Sequence, residues 1–275
     1  MRKNVIIAAA ALLFSLVASA QNLETLDVSH EPEGPAKIEK GDYIFTGTVK
    51  NGLKQGTWYE IYASKQLIHK VVVFEQGYRN GLYMEIDETG TLVKKAEYAD
   101  DLLDGVSYTW YRGGRLSGMN TYKRGILDGE QVKCYEQGGT QEIANYKDGI
   151  RDGATTWFDQ SGNKKMTIEY KGGKFEGKQE TFYSNGQVKS AKMFKDNVQD
   201  GESIEYYESG AVKSEAKYKK GTLSGSVKTY QDNDPNANAE KKIKEKDKKD
   251  KKDVSNGDND NTVKKQKSTA KVKKG

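Results

Sequence analysis

The 275-residue sequence is poor in the residues that build reactive sites and covalent cross-links. It has one cysteine, Cys134, so no intramolecular disulfide can form and stability has to come from packing. Its two histidines, His30 and His69, have no neighbour at a metal-ligand spacing, which argues against a metal or acid–base site. We therefore predict a protein that is not an enzyme and that needs no cofactor and no metal.

Long hydrophobic runs are also scarce, and the one that is present lies at the N-terminus. Arg2 and Lys3 precede a largely apolar stretch over residues 5–17, and Ala18-Ser19-Ala20 follows it, the layout of a cleavable secretory signal. An N-terminal membrane anchor is the alternative, but this run is shorter than the ~20 residues of a spanning helix. We predict a signal peptide over residues 1–20 and cleavage near Ala20. The mature chain is then exported, periplasmic or extracellular, and has no transmembrane segment.

The net charge of +5 is concentrated at the C-terminus. Residues 231–275 hold fourteen Lys against nine Asp and Glu, and setting them aside together with Arg2 and Lys3 leaves −2 for residues 4–230. The folded part thus has no basic excess for nucleic acid. Residues 231–275 are too polar to offset the entropy of ordering, so we predict a disordered tail. The tail is interpreted as solvated, with contact to an anionic envelope surface as the alternative.

The remaining chain repeats itself every 24 residues. One aromatic opens each repeat: Phe74, Tyr98, Tyr122, Tyr146, Tyr170, Phe194 and Tyr218. Two glycine series keep the same period. Counting the aromatics as the first series, the second glycine series is Gly81, Gly105, Gly129, Gly153, Gly177, Gly201 and Gly225, and the third glycine series is Gly90, Gly114, Gly138, Gly162, Gly186 and Gly210. An irregular earlier unit contains Gly52 and Gly56.

Each repeat contains two turn signals and two strand-length segments. Gly, Asn or Asp stands three residues after every leading aromatic, where a left-handed backbone is tolerated, and a polar turn ends at the third glycine series. The six or seven residues between turns suit a strand and are too short for a helix. We predict an all-β fold: an elongated antiparallel meander of about 7.5 stacked β-hairpin repeats over residues 43–230, preceded by a leader or linker over residues 21–42.

Period-two alternation predicts which face is buried. The position twelve residues after the leading aromatic is apolar or aromatic in every repeat, and we predict that it faces the core. Its members are Ile61, Ile86, Trp110, Cys134, Phe158, Phe182, Tyr206 and Tyr230. Cys134 is interpreted as core filler, with a reactive thiol as the alternative.

The pattern Tyr-x-x-Gly-x-x-x-Gly, followed by a short aromatic strand and a polar turn ending in Gly, resembles the bacterial variant of the MORN repeat. Residues 146–153, followed by Trp157-Phe158 and Ser161-Gly162, are a close example. Many proteins of this appearance are named YwqK-type antitoxins of toxin–antitoxin systems, which implies binding of a protein partner. MORN repeats elsewhere are linked to membrane association and scaffolding, and the resemblance implies no catalytic residues.

One position further along, tyrosines recur on what alternation predicts to be the opposite, exposed face. The candidate binding residues, which we call the tyrosine stripe, are Tyr62, Tyr111, Tyr135, Tyr183 and Tyr207 at this position, joined on the same face by Trp157. Such a stripe can stack on glycans or anchor a protein. Purely structural use is the alternative, because Tyr favours strands and packs beside cross-strand neighbours.

Acidic or amide residues precede the second glycine series: Asn80, Asp104, Asp128, Asp152, Glu176 and Asp200. Successive members are expected roughly 10 Å apart, too far to share one ion, so we interpret them as turn residues with a calcium-binding edge as the alternative. The sequence thus predicts a protein-binding or scaffolding module of the cell envelope, whose contact surface is the tyrosine face or the turn edge. Binding of a glycan, a cell-wall polymer or a protein toxin remains an alternative.

Overall fold

The computed structural model describes residues 22–233, and in this range the chain forms strands and turns without any helix. The predicted signal peptide and most of the predicted tail lie outside the described residues. The chain divides into two compact units, one ending at Gly177 and the other starting at Lys178. The all-β prediction is confirmed.

The first unit contains strands β1 to β13. Their bounds are β1 Gly34–Lys40, β2 Tyr43–Lys50, β3 Leu53–Tyr62, β4 Leu67–Glu75, β5 Tyr78–Ile86, β6 Leu92–Ala99, β7 Leu102–Leu103, β8 Gly105–Trp110, β9 Leu116–Lys123, β10 Ile126–Cys134, β11 Thr140–Lys147, β12 Ile150–Phe158 and β13 Lys164–Lys171. Strands β1 to β6 and β8 to β13 each pair antiparallel with their neighbours in chain order, and β6 pairs with both β7 and β8. The predicted hairpin meander is therefore present in this unit.

The second unit repeats the same arrangement. β14, Lys174–Phe182, contains the boundary, and it is followed by β15 Val188–Lys195, β16 Val198–Tyr206, β17 Val212–Lys219, β18 Thr222–Leu223 and β19 Lys228–Thr229. β16 pairs antiparallel with β15 and β17, and β17 pairs with both short last strands.

Tight two-residue turns close one end of each hairpin, as predicted. Asp148 and Gly149 have φ of 49° and 79°, and two consecutive left-handed residues form the turn whose twist matches that of flanking strands. The polar turns close the other end: Gly162 donates its N–H to the Asp159 carbonyl at 3.0 Å, and Asp159 donates to the Asn163 carbonyl at 2.9 Å.

The second glycine series serves close packing between strands. At Gly153, φ is 102°, and an added Cβ would lie 3.3 Å from Asn145 Cβ on the preceding strand. The pairing of β11 with β12 shifts register opposite this glycine, between Ala144 and Tyr146. The 24-residue period therefore reflects a recurring break in the strand pairing as well as a turn.

The predicted buried register is wrong. Every residue twelve positions after a leading aromatic is only half-buried, whereas Val72, Ala96, Ala144 and Thr155 are fully buried. The physical reason is a β-bulge, because the pairing shifts register directly before Ile61, Ile86, Trp110, Cys134, Phe158 and Tyr206. A bulge adds a residue to one strand, so period-two counting cannot be carried across it.

Each unit has its own main core cluster. In the first unit, the side chains of Phe45, Trp58, Val72 and Tyr98 pack with the N-terminal residues 23–28. In the second unit, Ile204, Ala211 and Val212 pack with Tyr206, Tyr207 and Tyr230. The predicted leader over residues 21–42 thus differs from the structure, since it contains β1 and core residues; these lie outside the 24-residue register that guided the boundary.

Candidate functional site

The tyrosine stripe lies half-buried, and its hydroxyl groups are used inside the fold. In the first unit, the Tyr111 hydroxyl donates to the Cys134 carbonyl at 2.9 Å and the Tyr135 hydroxyl to the Phe158 carbonyl at 2.8 Å. Each bond reaches the half-buried position of the next repeat, 23 residues further on. In the second unit, Tyr183 and Tyr207 make the same bond to Tyr206 and Tyr230. These tyrosines therefore fasten neighbouring repeats together.

The remaining two stripe members belong to side-chain clusters. The Tyr62 ring centre lies 5.5 Å from that of Tyr43 and 4.6 Å from that of His69, and burial, followed by the charge of nearby groups, raises the pKa of Tyr62 to about 12. The Trp157 ring centre lies 5.8 Å from the guanidinium of Arg151. The stripe as a contact surface stays a prediction, but the geometry of these residues favours structural use.

Arg151 organises the cluster around Trp157. Its guanidinium donates to the hydroxyls of Tyr146 at 3.1 Å and Tyr170 at 3.5 Å, and it also bonds the carboxylate of Glu142. Although burial favours the neutral form, these hydrogen bonds and the Glu142 charge raise the pKa of Arg151. The cation is thus fully engaged by its own repeat and its neighbours.

A Glu–His pair lies on neighbouring strands of the first unit, which sequence reasoning missed. His69 Nδ1 lies 2.7 Å from Glu60 Oε1, nine residues earlier in the chain. Burial acts to raise the pKa of Glu60, but hydrogen bonds from His69 and the Leu23 amide and the charge of Lys70 hold it below its ordinary value. No group of three or more potential metal ligands occurs among residues 22–233.

The acidic series caps turns of neighbouring repeats. Asp128 accepts the Asp148 N–H at 3.2 Å, and Asp152 accepts the Gly172 N–H at 3.0 Å. In the second unit, Asp200 accepts the Lys220 N–H at 3.3 Å. These contacts are turn chemistry, in agreement with the preferred interpretation.

Cys134 is half-buried, and burial raises the pKa of its thiol, which keeps the sulfur in its less reactive, protonated form. This environment agrees with a packing role for the side chain.

An exposed apolar row follows the tight turns of the first unit, one residue per hairpin. Among its members, Leu102 is 43% exposed, and Ile126 and Ile150 are each 51% exposed. We call this row the hairpin-tip edge; its members are Leu53, Tyr78, Leu102, Ile126 and Ile150. Sequence reasoning did not single it out, although the signal is visible as an apolar residue directly after successive turns.

Turn glycines make the hairpin-tip edge continuous. Ile126 Cγ2 lies 3.2 Å from where a Cβ on Gly149 would be, and Ile150 Cγ2 lies 2.9 Å from the same point on Gly173. Each turn is also hydrogen-bonded to the preceding repeat, as Gly149 donates its N–H to the Leu127 carbonyl at 2.8 Å. The row is therefore held on a hydrogen-bonded support.

The fold and these contacts define an all-β repeat protein built from stacked hairpins. Three consecutive stretches, residues 151–171, 175–196 and 199–220, match the family model described as the MORN repeat variant. The resemblance inferred from the sequence is confirmed for them.

Other comparisons add little. No curated protein matches the chain. A solved structure, a porin-like protein from Bacteroides uniformis ATCC 8492, matches at 9% identity and a TM-score of 0.17, covering 70% of this chain and 92% of that chain. Residues 22–233 contain no helix long and apolar enough to cross a membrane.

Proposed function

We propose that this protein is an exported, non-catalytic repeat module that binds a protein partner in the cell envelope through the hairpin-tip edge. The observation that supports this function is the row of exposed apolar side chains, one per hairpin, in the first unit. Contiguous exposed apolar surface is typical of interaction sites. Export rests on the sequence pattern of residues 1–20.

The charge around the hairpin-tip edge favours a protein over a lipid surface. Repeats of this family generally mediate binding to proteins or to membrane lipids. The turn segments 99–104, 123–128 and 147–152 together hold six acidic and four basic residues, a net charge of −2. An anionic membrane surface attracts basic segments, so this edge has no electrostatic reason to bind one. A partner with an apolar patch and basic flanks fits better.

The spacing of the repeats sets the length of the hairpin-tip edge. Neighbouring hairpins are two strands apart, so successive apolar side chains are spaced by roughly 10 Å. Leu102, Ile126 and Ile150 can therefore contact a surface about 20 Å long while the backbone beneath them stays hydrogen-bonded.

Position-specific photo-crosslinking in cells tests this function. A photoreactive residue is placed singly at Leu102, Ile126 and Ile150, and as matched controls at Glu88, Arg112 and Glu136, which are exposed in the polar turns at the other end of the hairpins. We expect one protein adduct of the same mass from all three edge positions and none from the controls, in the exported fraction. Adducts only with lipid, equal labelling from both ends, or a protein confined to the cytoplasm would contradict the proposal.

A further inference from the structure

The N-terminal segment packs on the first unit as an inserted peptide. We call residues 22–28, Asn-Leu-Glu-Thr-Leu-Asp-Val, the N-terminal strap. Leu23, Leu26 and Val28 are 0%, 4% and 3% exposed, and they belong to the same core cluster as Phe45 and Trp58. The strap is not a strand and lies outside the repeat register, so it fills the face without extending the sheet.

Three charged side chains are buried around the strap. Lys54, Glu60 and Lys70 are 6%, 1% and 7% exposed. Buried charges are costly unless they are paired and hydrogen-bonded. All three have hydrogen-bond or ion-pair partners in the strap. The strap therefore stabilises these buried charges as well as covering apolar side chains.

Two of these charged side chains, Glu60 and Lys54, bind the main chain of the strap. Glu60 Oε2 accepts the Leu23 N–H at 2.7 Å, and Lys54 Nζ donates to the Leu23 carbonyl at 2.6 Å and to the Glu24 carbonyl at 3.1 Å. One residue is thus held through its donor and its acceptor by groups of opposite charge. This arrangement fixes the direction and register of the bound segment.

Side-chain selection accompanies these main-chain contacts. Lys70 Nζ lies 3.2 Å from the Glu24 carboxylate and 3.6 Å from that of Glu60. The core cluster then favours apolar side chains at positions 23, 26 and 28 of the strap. The face therefore has the elements of a peptide-recognition site: main-chain bonds, an acid-selective cation and apolar pockets.

The strap is joined to β1 by residues 29–33, Ser-His-Glu-Pro-Glu, of which Ser29, His30, Pro32 and Glu33 are exposed. None of the strap contacts described above involves this connection. The strap of another copy carries the same groups, which is the condition for exchange of an identical element between protomers.

We propose that this face of the first unit is a peptide-binding groove that reads the pattern Leu-Glu-x-Leu-x-Val, is filled here by the chain's own strap, and accepts the strap of a second copy. The groove is distinct from the hairpin-tip edge and does not depend on the function proposed for it. Its ligand class is a short acidic–apolar peptide.

Peptide exchange in the full chain tests the groove. A protease site is inserted between His30 and Glu31, and the folded protein is cut, so that the strap becomes a separate peptide. A fluorescent peptide of residues 22–30 is then added. We expect it to replace the cut strap and bind saturably, while the far-UV spectrum of the sheet is unchanged.

Matched variants identify the contacts. Lys54→Met removes two hydrogen bonds from a charged donor and is expected to weaken peptide binding at least about tenfold, and a peptide with Leu23→Ser should bind as poorly. Lys50→Met, at an exposed lysine of the neighbouring strand, should leave binding within about twofold. Loss of the sheet on cutting, or absence of peptide binding to an intact sheet, would overturn the groove.

Subunit mixing tests the occupant. Two full-length chains with different affinity tags are unfolded together and refolded at high concentration, and mixed complexes are captured through both tags. We expect mixed dimers that disappear when both chains carry Leu23→Ser. Peptide binding without mixed dimers would overturn the second copy as occupant and would indicate a strap-like peptide of another protein.

Discussion

The hydroxyl of Tyr135 donates a hydrogen bond of 2.8 Å to the main-chain carbonyl of Phe158, one repeat further along the chain. Phe158 sits at the bulge where β12 shifts register against β13, so its carbonyl is available to a side-chain donor. The bond gives the tyrosine that recurs at this position a structural role.

Tyr135→Phe is expected to destabilise the first unit by about 1 kcal/mol, because the ring is kept while one part-buried hydrogen bond is lost. Urea unfolding followed by far-UV circular dichroism measures the change. Tyr78→Phe, at a tyrosine that is 57% exposed, is the matched control and should be close to neutral. An equal effect of both substitutions would show that the bond to Phe158 contributes nothing.

Thr155→Val is expected to stabilise the protein by about 1 kcal/mol. Thr155 is fully buried, and its hydroxyl has no hydrogen-bond partner within residues 22–233, so the near-isosteric valine removes a desolvated polar atom. Thr156→Val is the control, since Thr156 Oγ1 lies 3.2 Å from Thr167 Oγ1 and its loss should destabilise. Thermal melts of the two variants should shift in opposite directions; a lower melting temperature for Thr155→Val would be inconsistent with an unpaired hydroxyl.

Gly47→Ala is expected to destabilise the first unit by about 3 kcal/mol or more, the scale of overpacking with strain. A Cβ at this position would lie 2.1 Å from the ring of Trp58, which is fully buried and donates its indole N–H to the Thr48 carbonyl. Gly41→Ala, where the surroundings are open and φ is 59°, adds backbone strain without a clash and should cost less than Gly47→Ala. Unfolding midpoints in urea give the comparison, and a tolerated Gly47→Ala would mean that the ring packs elsewhere.

Lys54 should make the stability of the first unit rise with pH. Burial, opposed by the charges of Glu24, Asp101 and Asp27 and reinforced by Arg79, lowers the pKa of Lys54 to about 8, against 10.5 in the unfolded chain. Between these values the unfolded state binds more protons, so the free energy of unfolding increases with pH. The expected gain from pH 7 to pH 9.5 is about 2 kcal/mol.

The difference between wild type and Lys54→Met isolates this effect, because the other titrating groups are common to both chains. The measurements stay below pH 10, because the raised pKa of Tyr62 lowers the stability of both chains once tyrosines ionise in the unfolded state. A flat difference in denaturant-derived stability over this range would show that Lys54 is not desolvated.

Turn positions and antiparallel order follow from the sequence because the turns need residues that tolerate a left-handed backbone, and Asp148-Gly149 supplies them in register with the aromatics. The buried face does not follow, because the bulge before Phe158 interrupts alternation without a distinctive residue type. The strap does not follow from the sequence, because Leu23, Leu26 and Val28 lie outside the 24-residue register. The carbonyl partner of Tyr135 becomes visible only once the register is known.

The central claim, that the hairpin-tip edge binds a protein partner, is tested most directly with a triple variant, Leu102→Ser, Ile126→Ser and Ile150→Ser. All three side chains are exposed, so each change should alter stability by only about 0.5 kcal/mol. The control triple, Glu88→Ser, Arg112→Ser and Glu136→Ser, changes exposed residues at the other end of the hairpins. The decisive measurement is the amount of the crosslink-identified partner retained by each immobilised protein at equal concentration. We predict a loss of at least about tenfold for the edge triple and none for the control; full retention by a folded edge triple would contradict the account.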